Sequence, residues 1–206
     1  MSMKKFFLFF LAGFLGTVTL SAQDRPWSLT LQGGLSGSGS ENSRIFFKND
    51  RMQELIAPQG GVSAGYDFTD RLGARVSLST GRNTGIGRDS GGFSAYSFQS
   101  LNVFADAMWR LAPGWTAFIP KVYGGVGAAR SFHFKNTEGI LDPVKSSNTV
   151  PGARVGLNGE YRIFAGIGIV GDLCVEAYTD AYNGFVAGRR PFDLRAVGSV
   201  GIIVHL

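Results

Sequence analysis

The stretch ARVGLNGEYRI, Ala153 to Ile163, decides how the chain is to be read. Its odd positions are Ala153, Val155, Leu157, Gly159, Tyr161 and Ile163. Its even positions include Arg154, Asn158, Glu160 and Arg162. Every charge therefore stands on one face. A period of two is the mark of a β-strand, whose successive side chains point to opposite sides of the sheet. A soluble sheet turns the apolar face inward and shows its charges to water. A barrel in a membrane does the reverse. The other strands decide between the two.

The same alternation recurs in eight segments: Trp27–Ser36, Gly61–Phe68, Leu72–Thr80, Gln99–Leu111, Phe118–Ala129, the opening stretch, Ile167–Thr179 and Phe192–Leu206. The fifth is the least regular, because Pro120 removes one ladder donor and belongs near a strand end. The apolar faces carry no charge. The opposite faces hold Asp67, Arg75, Asp106, Arg110, Lys121, Arg154, Glu160, Arg162, Asp172, Glu176, Asp193 and Arg195, and are otherwise largely Gly and Ser. The connections alternate as well. Short links lie at Thr69–Arg71, Ala112–Gly114 and around Phe164–Gly166. Long, polar, glycine-rich links run over Gly37–Gly60, Gly81–Tyr96, Arg130–Thr149 and Asp180–Pro191.

The aromatic residues of the apolar face choose the barrel. Trp27, Tyr66, Phe68, Trp109 and Tyr161 fall at the short-turn ends of their strands, and Trp115 sits in an adjoining turn. Amphipathic rings collected at one height suit a membrane interface, and a soluble core has no need of them. A charge facing mid-bilayer costs roughly 2–4 kcal/mol, so twelve charges cannot face lipid. Closure is required too, since an open sheet edge in lipid leaves backbone groups unpaired. The expected fold is all-β: an eight-stranded antiparallel transmembrane up-and-down β-barrel, with both chain ends on the short-turn side.

Residues 1–23 stand apart. Lys4 and Lys5 precede an apolar run from Phe6 to Leu20, followed by Ser21-Ala22-Gln23. This reads as a cleaved secretory signal peptide, which leaves residues 24–206 as one barrel domain. Without those two lysines, 18 basic residues stand against 15 acidic ones, too weak an excess to argue for nucleic acid. The single cysteine, Cys174, allows no intrachain disulfide and reads as a small buried filler.

The inward charges are expected to pair. Strands six and seven should form a hairpin centred on Ala165, which sets Arg154 opposite Glu176 and Asn158 opposite Asp172. A luminal ion-pair network of Arg154, Glu176, Asp172, Asp193, Arg195, Glu160 and Arg162 follows. Catalytic, cofactor and metal sites are not expected. His133, in SFHFKN of the third long link, and His205, near the last strand's rim, are the only histidines, and neither has a nucleophile beside it in a suggestive spacing. GIGRDSGG, Gly85–Gly92, lacks the Lys-Ser/Thr step of a phosphate loop and reads as a surface loop. RIFFKNDRMQELIAP, Arg44–Pro58, suits a short helix, an ordered plug or a protein-contact patch.

GYDFTDRLGARVSLS, LNGEYRI and the closing VGSVGIIVHL resemble the small eight-stranded outer-membrane barrels of the OmpA/OmpX type, within the wider porin-like group. The resemblance covers the chain after residue 23. It implies the barrel fold, outer-membrane lipids as surroundings, the barrel-insertion machinery during biogenesis, and no cofactor. There are two departures. The chain ends in Leu206 where such barrels usually end in Phe or Trp, and it stops at the last strand without the soluble peptidoglycan-binding domain that OmpA-type proteins append. The expected role is structural or interactive: loops displayed to an extracellular protein or surface ligand, adhesion or envelope integrity, with paired charges closing the lumen. A narrow or gated porin-like channel is the alternative, and a lipid A-modifying enzyme is a third reading.

Overall fold

The computed structural model describes residues 26–39, 56–89, 92–136, 147–164, 166–179 and 192–206. The segment read as a signal peptide lies outside them. Eight strands follow one another: β1 Trp27–Gly39, β2 Ile56–Asp67, β3 Leu72–Asp89, β4 Gly92–Arg110, β5 Phe118–Asn136, β6 Ser147–Phe164, β7 Ile167–Thr179 and β8 Phe192–His205. Each pairs antiparallel with its neighbour in the chain, and β8 pairs with β1, so the sheet is a closed up-and-down barrel. The ends of the described chain meet where the Leu206 amide donates to the Trp27 carbonyl at 2.9 Å.

Local chemistry sets the short turns. At β2–β3 the Thr69 hydroxyl accepts from the amides of Arg71 and Leu72, at 3.2 and 2.9 Å. At β6–β7 Gly166 takes φ 84°, a left-handed conformation that side-chain-bearing residues rarely adopt. Below that turn Arg154 lies opposite Glu176, Asn158 opposite Asp172 and Val155 opposite Val175. The register breaks only between Arg162 and Phe164.

The strands outrun the alternation that marks them in the sequence. β3 and β4 continue as an unbroken ladder to Asp89 opposite Gly92. Gly85–Asp89 and Gly92 of GIGRDSGG are therefore strand and not surface loop, and positions 90 and 91 lie outside the described residues. β5 reaches Asn136, which puts His133 on a strand instead of in the third long link. Ile56–Pro58 of the first long link belongs to β2, and residues 44–55 lie outside the described chain. The cause is that a hairpin persists as far as its backbone groups find partners across the ladder. Amphipathic alternation is needed only where the two faces meet different surroundings.

The outer wall is apolar. Val126, Val155, Leu173 and Val200 are each 63–69% exposed. The interior is filled, and not only by Gly and Ser as the sequence suggests. Phe98, Phe104, Met108, Ile119, Tyr123, Tyr178 and Val197 are buried inside with the charges. Glycines opposite make room for the rings. Tyr123 pairs with Gly156, Phe104 with Gly127, and Tyr178 with Gly152. A Cβ at Gly156 or Gly152 would come within 2.6 Å of the opposing tyrosine ring, whereas one at Gly171 meets nothing within 4 Å. Gly152→Ala and Gly156→Ala should each cost about 1–3 kcal/mol through overpacking. Gly171→Ala should be neutral or stabilising by about 0.5–1 kcal/mol, because alanine loses less backbone entropy. Urea unfolding of the three folded variants in micelles checks the contrast.

Candidate functional site in the barrel lumen

Parity along each strand aims the charged side chains into the barrel, where three groups stack between the short-turn end and the long-loop end. The middle group joins opposite walls. Arg75 of β3 donates through Nε to Asp106 Oδ2 at 2.9 Å and through Nη1 to Asp172 Oδ2 at 2.6 Å. Arg154 of β6 grips the other side of Asp106, with Nε to Oδ1 at 2.8 Å and Nη2 to Oδ2 at 2.5 Å. The Tyr123 hydroxyl donates to Asp172 Oδ1, and Asn158 Nδ2 to Asp172 Oδ2 at 3.0 Å. Arg75 stacks over the Tyr123 ring at 4.2 Å, and Arg154 over the Phe104 ring at 4.4 Å. Two guanidiniums and two carboxylates thus hold each other, mostly through planar bidentate or charge-assisted bonds.

Nearer the long loops, Glu176 accepts from Arg195 Nη1 at 3.1 Å and from the Tyr178 hydroxyl at 2.7 Å. Arg195 Nη2 also donates to Gln59 Oε1 at 2.6 Å, which ties β8 to β2. At the short-turn end Glu160 gathers His205 Nε2 at 2.7 Å, Lys121 Nζ at 3.5 Å and Arg162 Nε at 3.3 Å. Arg110 and Asp67, 3.3 Å apart, form a half-buried pair at the same rim.

The sequence-derived network is only partly the one found. Arg154 and Glu176 are 3.8 Å apart, but the nearest carboxylate to Arg154 is Asp106, and the closest partners of Glu176 are Tyr178 and Arg195. Asp172 binds Arg75, Tyr123 and Asn158. Arg162 keeps a side chain 38% exposed, so it caps the rim. The Asp193 side chain lies outside what is described. Sequence reasoning left Arg75, Asp106, Tyr123, Lys121 and His205 out of the network. Parity already turned most of them inward. Their pairings run across the barrel between strands distant in sequence, and hairpin registers say nothing about those. Cys174 is buried beside Met108, Tyr123 and Val197.

Among the described residues, the buried charges are Arg75, Lys121, Arg154 and Arg195 against Asp106, Glu160, Asp172 and Glu176. The filled core of the lumen is thereby formally neutral with His205 uncharged. Buried charges are tolerated when paired in this way. Among the same residues, no three of His, Cys, Asp and Glu come together as metal ligands would. Of the aromatic residues, Trp27, Phe68, Trp109, Trp115 and Tyr161 are exposed on the outside near the short turns. Trp27 meets Tyr66 edge-to-face at 4.7 Å, and Tyr66 meets Phe68 at 5.1 Å.

No family model matches the chain, and no curated relative does. Solved structures do. Neisserial surface protein A aligns over 88% of this chain and 97% of its own, at 14% identity and a TM-score of 0.57. The outer membrane protein OprG of Pseudomonas aeruginosa aligns over 91% and 99%, at 12% identity and 0.52. Ail, the attachment invasion locus protein of Yersinia pestis, aligns over 88% and 99%, at 14% identity and 0.51. What the chain shares with them is the fold of the small eight-stranded outer-membrane barrels.

Proposed function

We propose that this chain is an integral outer-membrane barrel with a closed lumen, built to hold its wall in the bilayer and to display its long-loop end outside. The observation that carries the reading is the inversion of the wall: paired charges inside, apolar side chains outside. On β6 the outward series climbs from Tyr161 through Leu157, Val155 and Ala153 to Thr149. At roughly 3.3 Å per residue and a tilt of about 40°, that climb is about 30 Å, close to the height of a barrel's apolar band. The aromatic ring group marks the lower interface. Export through residues 1–23, passage through the insertion machinery and contact with a partner through the long-loop end belong to the same proposal. The displayed element best defined is the β3–β4 hairpin, which runs past the level where β2 stops pairing with β3, at Gln59 opposite Gly81.

The lumen carries the structural role in place of the conduit one. An eight-strand barrel has little more interior than its side chains fill, and here Arg195, Tyr178, Phe104, Ile119, Glu160 and Glu176 fill it with under 2% exposure each. The reading assigns no chemistry to the chain. The folded protein in planar bilayers should show no steady single-channel conductance. It should also fractionate with outer membranes and change gel mobility on boiling. Steady conductance would favour the channel, and recovery as a soluble periplasmic protein would remove the membrane reading.

Orientation has its own test. Gly92→Cys, at the tip of the long hairpin, should label on intact cells with an impermeant thiol reagent in a Cys174→Ala background. Thr69→Cys, in a short turn, should label only after the envelope is opened. The reverse pattern would invert the topology.

A further inference from the structure

We infer that Arg82 and Arg130 form an outward-facing clamp for the phosphorylated headgroup of an outer-leaflet lipid, on the wall made by β3, β4 and β5. The inference rests on the membrane reading above. Among the described side chains of the strands, these two are the only charged ones that continue the apolar outward series. On β3 that series runs Leu72, Ala74, Val76, Leu78, Thr80, Arg82; on β5 it runs Val122, Gly124, Val126, Ala128, Arg130. Both arginines are exposed, while the residues flanking Arg130, Ala129 and Ser131, are buried inside. Both stand at the top of the band. The opposite end of the wall carries aromatic rings and no outward charge among the described strand residues.

The register brings them together. Arg82 is opposite Gln99 of β4, and Arg130 is opposite Leu101, two residues along the same strand. Two strand spacings sideways and two residues of rise separate their Cα atoms by roughly 12 Å. Two arginine side chains reach across such a gap to one headgroup. Their aliphatic stems lie along the apolar wall while the guanidinium heads rise to its edge. Arg82 Nη2 donates to the Ser97 hydroxyl at 3.3 Å, which leaves most of its five N–H donors for a ligand. The neighbouring outward positions, Thr80, Gln99 and Thr149, are polar and uncharged, so no carboxylate among the described side chains adjoins either arginine on this wall. A guanidinium fork matches a phosphate's oxygens, and acyl chains below it would lie on Val103, Val126 and Ala128. A headgroup with attached chains therefore fits this surface better than a free anion does.

The test is lipid retention by the folded full chain, measured by native mass spectrometry from neutral-lipid nanodiscs doped with a phosphorylated lipid A. The wild type should retain the phosphorylated lipid at least about tenfold better than its dephosphorylated form. The double variant Arg82→Gln, Arg130→Gln should lose that preference while remaining heat-modifiable. Arg71→Gln, which removes an exposed cation from a short turn, should keep it. Millimolar inorganic phosphate should not displace the lipid. Equal retention by the double variant, an equal loss in Arg71→Gln, or displacement by inorganic phosphate would each overturn the assignment. Loss of heat-modifiability in the wild type would instead remove the membrane reading itself.

Discussion

Asp106→Asn should destabilise the folded barrel by about 3–5 kcal/mol, the cost of leaving a buried charge without its counter-ion. Asp106 is held between two guanidiniums, Arg75 at 2.9 Å and Arg154 at 2.5 Å, with a side chain of zero exposure. The asparagine keeps the shape and loses the charge. Its amide also points donors at groups that have only donors to offer. Asp172 remains for Arg75 at 2.6 Å, but Arg154 is left with the neutral Ser77 hydroxyl at 2.5 Å and with Glu176, 3.8 Å away, as its nearest carboxylate. Glu176→Gln should cost less, because Arg154 keeps Asp106 and Arg195 keeps Gln59 at 2.6 Å. Adding Arg154→Gln to Asp106→Asn should recover part of the loss, because it removes the guanidinium that has lost its nearest carboxylate and leaves the Arg75–Asp172 pair intact. Reversible urea unfolding from vesicles, compared across the wild type and the three variants, gives the ordering. Equal effects for Asp106→Asn and Glu176→Gln would show that the middle group is not the hub.

Val155→Arg is the second large effect, and it acts from the other side of the wall. Val155 is 66% exposed and sits midway along the outward series of β6 between Tyr161 and Thr149. In a bilayer an arginine at mid-height costs roughly 2–4 kcal/mol, falling to about 0–1 near the interfaces. Thr149→Arg, at the upper end of the same series, should therefore cost little. In a soluble barrel both substitutions would be harmless, since an exposed arginine is well solvated. The difference between them, read by unfolding in the same vesicles, reports depth in lipid.

Both predictions use the period of two, and that period is how the fold was readable at all. Val155 and Arg154 show their faces from the sequence alone, because each meets one environment along the whole strand. The hairpin register at β6–β7 was readable for a related reason: parity excludes odd slips, and only two residues separate the end of β6 from the start of β7. Strand length beyond the band was not readable. Asn83–Asp89 shows no alternation of apolar and polar residues in the sequence, so only its pairing with Gly92–Phe98 makes it a strand. The luminal partners were half readable. Inward direction follows from parity, but the choice of Asp106 over Glu176 by Arg154 depends on how closure brings β4 within reach of β6 across β5. The ring-over-glycine pairs were hidden for the same reason, since Gly156 is read as absence until Tyr123 is known to lie opposite it.

The central claim is that one face of each strand meets hydrocarbon while the other meets a closed, charge-paired lumen. The most direct measurement is a nitroxide scan along residues 153–163 of the folded protein in vesicles, reading collision rates with oxygen and with a water-soluble nickel chelate. Oxygen accessibility should alternate with a period of two, high at 153, 155, 157, 159 and 161 and low at 154, 156, 158 and 160, with little nickel access at mid-strand on either face. High oxygen accessibility at the even positions, or nickel access along the odd series, would contradict it.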